Sequence, residues 1–219
     1  MKKVVPLKWR YVPSTPAPWA ASHYPSDPAC ATIQAWVHGS RDEDQKSRAE
    51  EMLAIKPHHF VDIITAFGDG QTQFEPHPYG HAVHSVAAEI LADHAVLLRI
   101  ELGADMICFP CRHNVDGFCD DTIDTSFRPE APTSKREWNL LIDRRWCQRL
   151  GLRQDDRLTA HELCLLIRDR AGDITDIYRE SPPARTAERQ SKLERGITRF
   201  LAASRVRLLP EPDAGAATT

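Results

Sequence analysis

The chain has 219 residues, with 28 lysines and arginines against 31 aspartates and glutamates, a formal net charge of -3, and 42% hydrophobic and 27% charged side chains. That balance belongs to a globular protein and not to a disordered one. The near-neutral charge supplies no field to hold nucleic acid or an acidic membrane surface, and no run of 18 apolar residues is present to span a bilayer.

In chain order, residues 1–40 read as a proline-rich arm: Pro6, Pro13, Pro16, Pro18, Pro25 and Pro28 resist both helix and sheet interiors. Pro6, Lys8 and Arg10 also interrupt any apolar signal-peptide core, so the expected location is the cytoplasm. In that reducing compartment the six cysteines are expected to be thiols or metal ligands and not disulfides. Residues 41–180 are expected to form the core domain. It opens with a charged helix over Arg41–Leu53, with Ser40 as its N-cap.

In AIKPHHFVDIITAFGDG, Pro57 suits a first helical position and Gly68 and Gly70 a stop. Phe60, Ile63, Ile64 and Phe67 fall at i, i+3, i+4, i+7, which predicts a short core helix. HAVHSVAAEILA repeats the pattern through Val83, Val86, Ala87 and Ile90, a second core helix. AVLLRIEL, residues 95–102, has the composition of a buried strand. Residues 103–133 then carry Gly103, Pro110, Gly117, Pro129 and Pro132, an irregular loop too long for a compact domain unless function or a ligand organises it.

SKREWNLLIDRRWCQRLGL predicts a helix with Ser134 as N-cap, Glu137 at the capping-box position and Gly151 just past the end. TAHELCLLIRDR repeats the device with Thr159 and Glu162. Residues 181–209 hold a last charged helix, from about Ala184 to Ser204, and residues 210–219 a disordered tail. The fold class is therefore α+β and α-rich: one compact domain with a short strand region and a long cysteine-bearing loop, extended at both ends.

The chemistry concentrates in ICFPCRHNVDGFC, where Cys108, Cys111 and Cys119 stand as C-x2-C-x7-C with Gly117 permitting a sharp return. Thiolates must converge to bind zinc or to ligate the irons of a cluster, and a C-x-x-C bend followed by a returning loop brings them together. Cys147 is the first candidate for a fourth ligand, with His113, His58, His59 and Asp62 as alternatives. Cys164, set among Leu163, Leu165, Leu166 and Ile167, reads as a buried hydrophobe, and Cys30 is a weaker candidate. A redox dithiol is the competing reading of C-F-P-C. That chemistry places the pair at a helix N-terminus, however, and RHNVDG does not start a helix.

His58 and His59 lie within one helical turn of Asp62, a cluster able to bind a divalent metal or move protons. Its alternative is a solvated surface pair, because His58 and Asp62 fall opposite the Phe60 stripe. His81 and His84, spaced i, i+3, form a further candidate pair, with His84 and Asp62 as potential metal ligands and His81 as an acid–base group. Surface placement is the ordinary alternative.

KPHHFVD, LRIELGADMICFPCRHNVDGFC and LIDRRWCQRLGLRQDDRLTAHELCLLIRD together resemble a prokaryotic domain family of unknown function, number 1284, over about residues 55–170. The resemblance implies an iron–sulfur cluster, with the 4Fe-4S type among the candidates, in preference to zinc. It implies no reaction. Members of that family often carry a cysteine after the paired histidines, where this chain has Asp62.

Three functions follow as expectations. The first is a cluster-binding protein for electron transfer, served by a redox partner protein. The second is a metalloenzyme for a small-molecule substrate, with His58, His59 or His81 moving protons at an iron–sulfur or zinc Lewis-acid site. The third is a zinc-stabilised interaction module.

Overall fold

The computed structural model describes residues 52–207. The proline-rich arm, most of the Arg41–Leu53 segment, Cys30 and the tail from Pro210 lie outside the described residues.

Ten elements follow one another: β1 (Leu53–Ile55), α1 (Pro57–Gly68), α2 (Val83–Ala92), β2 (Leu97–Ile100), β3 (Asn114–Val115), β4 (Phe118–Cys119), α3 (Lys135–Leu150), β5 (Arg157–Thr159), α4 (Ala160–Arg170) and α5 (Pro183–Arg207). The class is α+β and helix-rich. Strand β2 lies between β1, which it pairs in parallel, and β5, which it pairs antiparallel. Leu98 and Ile100 on one face of β2 are fully buried, whereas Arg99 on the other binds Glu101 and Asp155. Two of these strands are not legible as periodic segments. Leu53, expected to end a charged helix, opens β1, and β5 has only three residues, too few to show alternation.

The helix ends follow local chemistry. Ser134 Oγ accepts from the Glu137 N–H, and Gly151 closes α3 with φ of 74°, a left-handed conformation glycine tolerates at no steric cost. Thr159 and Glu162 form a complete capping box. Helix α1 is different. It has Pro57 in its first turn but no capping side chain of its own and no acidic residue there.

Its stripe of Phe60, Ile63 and Ile64 is buried as expected. The covering element is α5, which contributes Leu193, Ile197, Phe200 and Leu201 to the same core, so the C-terminal helix is integral to it. Phe200 meets Phe60 edge-on, with ring centroids 6.4 Å apart. The two helices touch through their backbones. A Cβ on Gly196 would lie 1.9 Å from the Ile64 carbonyl oxygen, and one on Gly68 1.9 Å from that of Lys192.

A helical glycine ordinarily gains stability on replacement by alanine, by up to ~1 kcal/mol. Gly196→Ala is expected to do the reverse, because neither backbone can yield. A loss of about 3 kcal/mol or more is expected in urea-induced unfolding followed by circular dichroism.

Candidate metal centre

Lys56, His58 and His59 stand at the junction between β1 and the first turn of α1, where helix N–H groups have no intrahelical acceptor. Two carboxylates from far along the chain meet them. Asp143, on α3 and fully buried, accepts the His58 N–H at 2.9 Å through Oδ1, which also lies 2.8 Å from His58 Nδ1. Asp105, also fully buried, accepts the Lys56 N–H at 2.9 Å through Oδ2 and the Cys108 N–H at 3.0 Å through Oδ1. The same Asp105 Oδ2 lies 2.7 Å from His59 Nδ1. Burial opposes ionisation of Asp105, but His59, Lys56 and these hydrogen bonds outweigh it and hold its carboxyl well below the usual range. With Asp105 ionised, Nδ1 is the His59 nitrogen that donates to it, so in the neutral imidazole Nε2 would carry the lone pair.

The cysteine segment is ordered from this point. The chain turns at 105–109 on Asp105, whose carbonyl accepts from the N–H groups of Cys108 and Phe109, and the Cys111 N–H then donates to the Cys108 carbonyl. Beyond it β3 and β4 form a minimal hairpin around Asp116 and Gly117, both at positive φ, with Asn114 paired to Cys119. The expected irregular loop thus contains a D-G turn of the tightest hairpin type, which returns Cys119 toward Cys111. Segment 79–82 braces it: the Arg112 N–H donates to the Tyr79 carbonyl and the Ala82 N–H to that of Ile107.

Cys108, Cys111 and Cys119 all line one cavity of about 120 Å³, together with Lys56, His59, His81 and His113. Two of the sulfurs carry donors. Lys56 Nζ lies 3.2 Å from Cys108 Sγ, and the His113 N–H donates to Cys111 Sγ at 3.4 Å. Burial and the Asp105 charge push the Cys108 thiol up to about 11, against the opposing pull of Lys56. Lys56 is itself buried. That favours its neutral form, but Cys108 and Asp105 outweigh the effect and raise its pKa.

Among the described residues, the donor atoms that gather within 4.8 Å of one another are those of His59, Asp105 and Cys108. The three cysteine sulfurs form no such group. At least one of their separations therefore exceeds 4.8 Å, wider than the ~3.8 Å sulfur spacing that ~2.3 Å bonds to a tetrahedral zinc require.

Compared with known proteins, the chain matches no family model, no curated protein and no solved structure.

The other sequence candidates are dispersed. Cys147 does not line the cavity: it lies eight residues beyond Asn139 on α3, about 12 Å along the axis, and burial first and then Asp143 push its thiol up to about 11. Cys164 is fully buried in the core, its thiol pushed up to about 12 by burial. His58, His59 and Asp62 line one cavity of about 410 Å³, but they do not hydrogen-bond one another. His58 turns to Asp143, His59 to Asp105, and Asp62 pairs with Arg189 of α5. The reading of His58 as solvated fails for the same reason, since α3 covers it and leaves 8% exposed.

His81 and His84 do not share a helical face, because α2 begins at Val83. His81 stacks on His77 at 4.2 Å, and burial, His77 and Lys135 lower it to about 4. His84 lines neither histidine-bearing cavity, and its Nδ1 is buried without a hydrogen-bond partner. Lys56, Asp105 and Asp143 had no assigned role in the sequence. Only Asp105 left a local trace, an acidic side chain three residues ahead of a C-x-x-C turn.

His58 is buried. That lowers its pKa, but Asp143 outweighs the effect and the folded value is raised. The pair therefore contributes its full stability below the ordinary histidine pKa of about 6.5 and loses it as pH rises through the folded value. Asp143→Ala is expected to cost about 3–5 kcal/mol at pH 6. The difference from wild type should narrow by pH 9 in denaturant titrations at both pH values.

Proposed function

We propose that this chain is a metal-binding protein whose Cys108–Cys119 loop holds an iron–sulfur cluster and serves electron transfer, with zinc as the alternative occupant. The observation that carries the reading is the shared cavity: Cys108, Cys111 and Cys119 line it with His59. The donor set fits a cluster. Sulfurs set wider than a zinc tetrahedron suit thiolates that each bind a different iron, and the donors directed at Cys108 and Cys111 would hydrogen-bond the ligated sulfurs.

His59 is the proposed fourth ligand in place of Cys147. A metal-binding imidazole characteristically donates its other N–H to a carboxylate, and His59 has Asp105 in that position. Lys56 then supplies a positive charge and a hydrogen bond beside Cys108. When bound, the cluster would supply one-electron redox chemistry; the protein contributes ligation, charge balance and exclusion of water. Met106, Phe109, Val115 and Phe118, the exposed large hydrophobic side chains among the described residues, all belong to the cysteine loop, which supports docking of a redox partner there.

A second reading, a metalloenzyme, draws on a neighbouring cavity of about 410 Å³ that shares His59 and His81 with the first. His59 would then move protons, oriented by Asp105, and His81 would face substrate. His58 is committed to Asp143 and has no part in this. A cysteine nucleophile is disfavoured because Cys108 stays protonated at neutral pH.

Protein purified anaerobically is expected to contain iron and acid-labile sulfide, to absorb broadly in the visible and to give an EPR signal in one redox state. One zinc per chain without sulfide would establish the alternative occupant, and the absence of both metals would overturn the reading. Single replacement of Cys108, Cys111 or Cys119 by serine, or of His59 by alanine, is expected to cut metal content at least tenfold, whereas Cys147→Ala and Cys164→Ala retain it. His81→Ala separates the two functions: lost turnover with metal retained would mark an enzyme.

A further inference from the structure

A cleft of about 370 Å³ lies at the start of α5, away from the cysteines. Arg128, Arg185, Arg189 and Lys192 line it against a single acidic side chain, Glu188. Two of the cations are committed, Arg189 to Asp62 and Lys192 to Asp69 and Glu188. The other two are not. Among the described residues, neither Arg128 nor Arg185 has a carboxylate at ion-pair distance. Arg128 Nε donates to the Asp124 carbonyl at 3.0 Å, while the Asp124 carboxylate accepts from the Ser126 N–H.

Both guanidinium groups rest on Phe127, their central carbons 4.7 and 3.9 Å from the ring centroid, so aromatic contact holds the two like charges near each other. Burial lowers the Arg128 pKa, and the nearby Arg185 and Arg189 cations add to this against the Asp124 carboxylate, which raises it without closing to an ion pair.

The helix itself adds to this. Helix α5 has 25 residues and no acidic side chain in its first turn, so the positive end of its dipole faces the cleft uncompensated. A third observation is independent of charge. Thr186, in that first turn, is only 3% exposed and lines the cleft, yet its hydroxyl has no hydrogen-bond partner. The buried hydroxyl of Thr65, opposite on α1, also lacks one. Buried polar groups without partners are uncommon and costly, and two on one cleft indicate a ligand that satisfies them.

We propose that this cleft binds a phosphate-class dianion: Arg128 and Arg185 neutralise its charge, the dipole of α5 adds to their field, and the Thr186 hydroxyl donates a hydrogen bond to one of its oxygens. The volume exceeds that of the inorganic ion, and the ligand we assign is a phosphate monoester of a small molecule. The site is independent of the metal centre.

Calorimetric titration of the full chain with inorganic phosphate and with glycerol 3-phosphate tests this, with chloride at matched ionic strength as control. Saturable binding of both, tighter for the ester, is expected; equal affinities would assign the site to the free ion instead. Arg185 is exposed, so Arg185→Gln should fold as wild type by thermal unfolding while losing about tenfold or more in affinity. Thr186→Val should lose a few-fold. Cys108→Ser should bind as wild type, which separates this site from the metal reading. No saturable binding by wild type, or undiminished binding by both Arg128→Gln and Arg185→Gln, would overturn the proposal.

Discussion

The described structure is organised by two carboxylates that are out of water altogether. Asp105 and Asp143 have 0% exposure, and both terminate on the first turn of α1. Taking a carboxylate out of water carries a penalty of several kcal/mol, and each is offset in the same manner, by a backbone N–H from the helix start together with an imidazole. The helix needs these acceptors because it carries none of its own. The carboxylates in turn need the helix, since its dipole and free N–H groups are what make their burial tolerable. Neither partner is stable in this place without the other.

That mutual need gives the cysteine segment its order. Residues 103–133 lack the long strands or helices that would hold them, and a chain of this kind normally remains loose. Asp105 ties the segment to Lys56 and His59 at one end, and the β3–β4 hairpin ties it to itself at the other. Burial and then the buried Asp105 anion beside it raise the Cys108 thiol pKa, even against the Lys56 ammonium. A thiol kept protonated in this way resists stray oxidation, which proceeds through the thiolate.

How much of this could be read beforehand depends on the range of the interaction. The caps at Ser134, Thr159 and Gly151 act within three or four residues, and the sequence shows them directly. The buried stripe of Phe60, Ile63 and Ile64 shows as periodicity. Asp143 meets His58 across 85 positions and Asp105 meets Lys56 across 49, and no local pattern reports such pairs. The same blindness explains His58. Its place opposite the apolar stripe suggests solvent, but Asp143 of α3 reaches it there. Cys147 showed the converse error: a cysteine close enough in sequence to be attractive, yet carried out of reach by the rise of its own helix.

The backbone contact between Gly68 and Gly196 has a mechanical consequence for the other end of α1. Two main chains pressed together without side chains between them make a stiff joint, and α1 runs from it to His59 as one 12-residue helix. His59 sits near its far tip, some 14 Å from the joint at 1.5 Å per residue. A tilt of a few degrees at the joint would swing that imidazole by about an ångström, enough to break its hydrogen bond to Asp105. Substitutions at this joint in the C-terminal helix can thus disturb the His59–Asp105 pair from a distance.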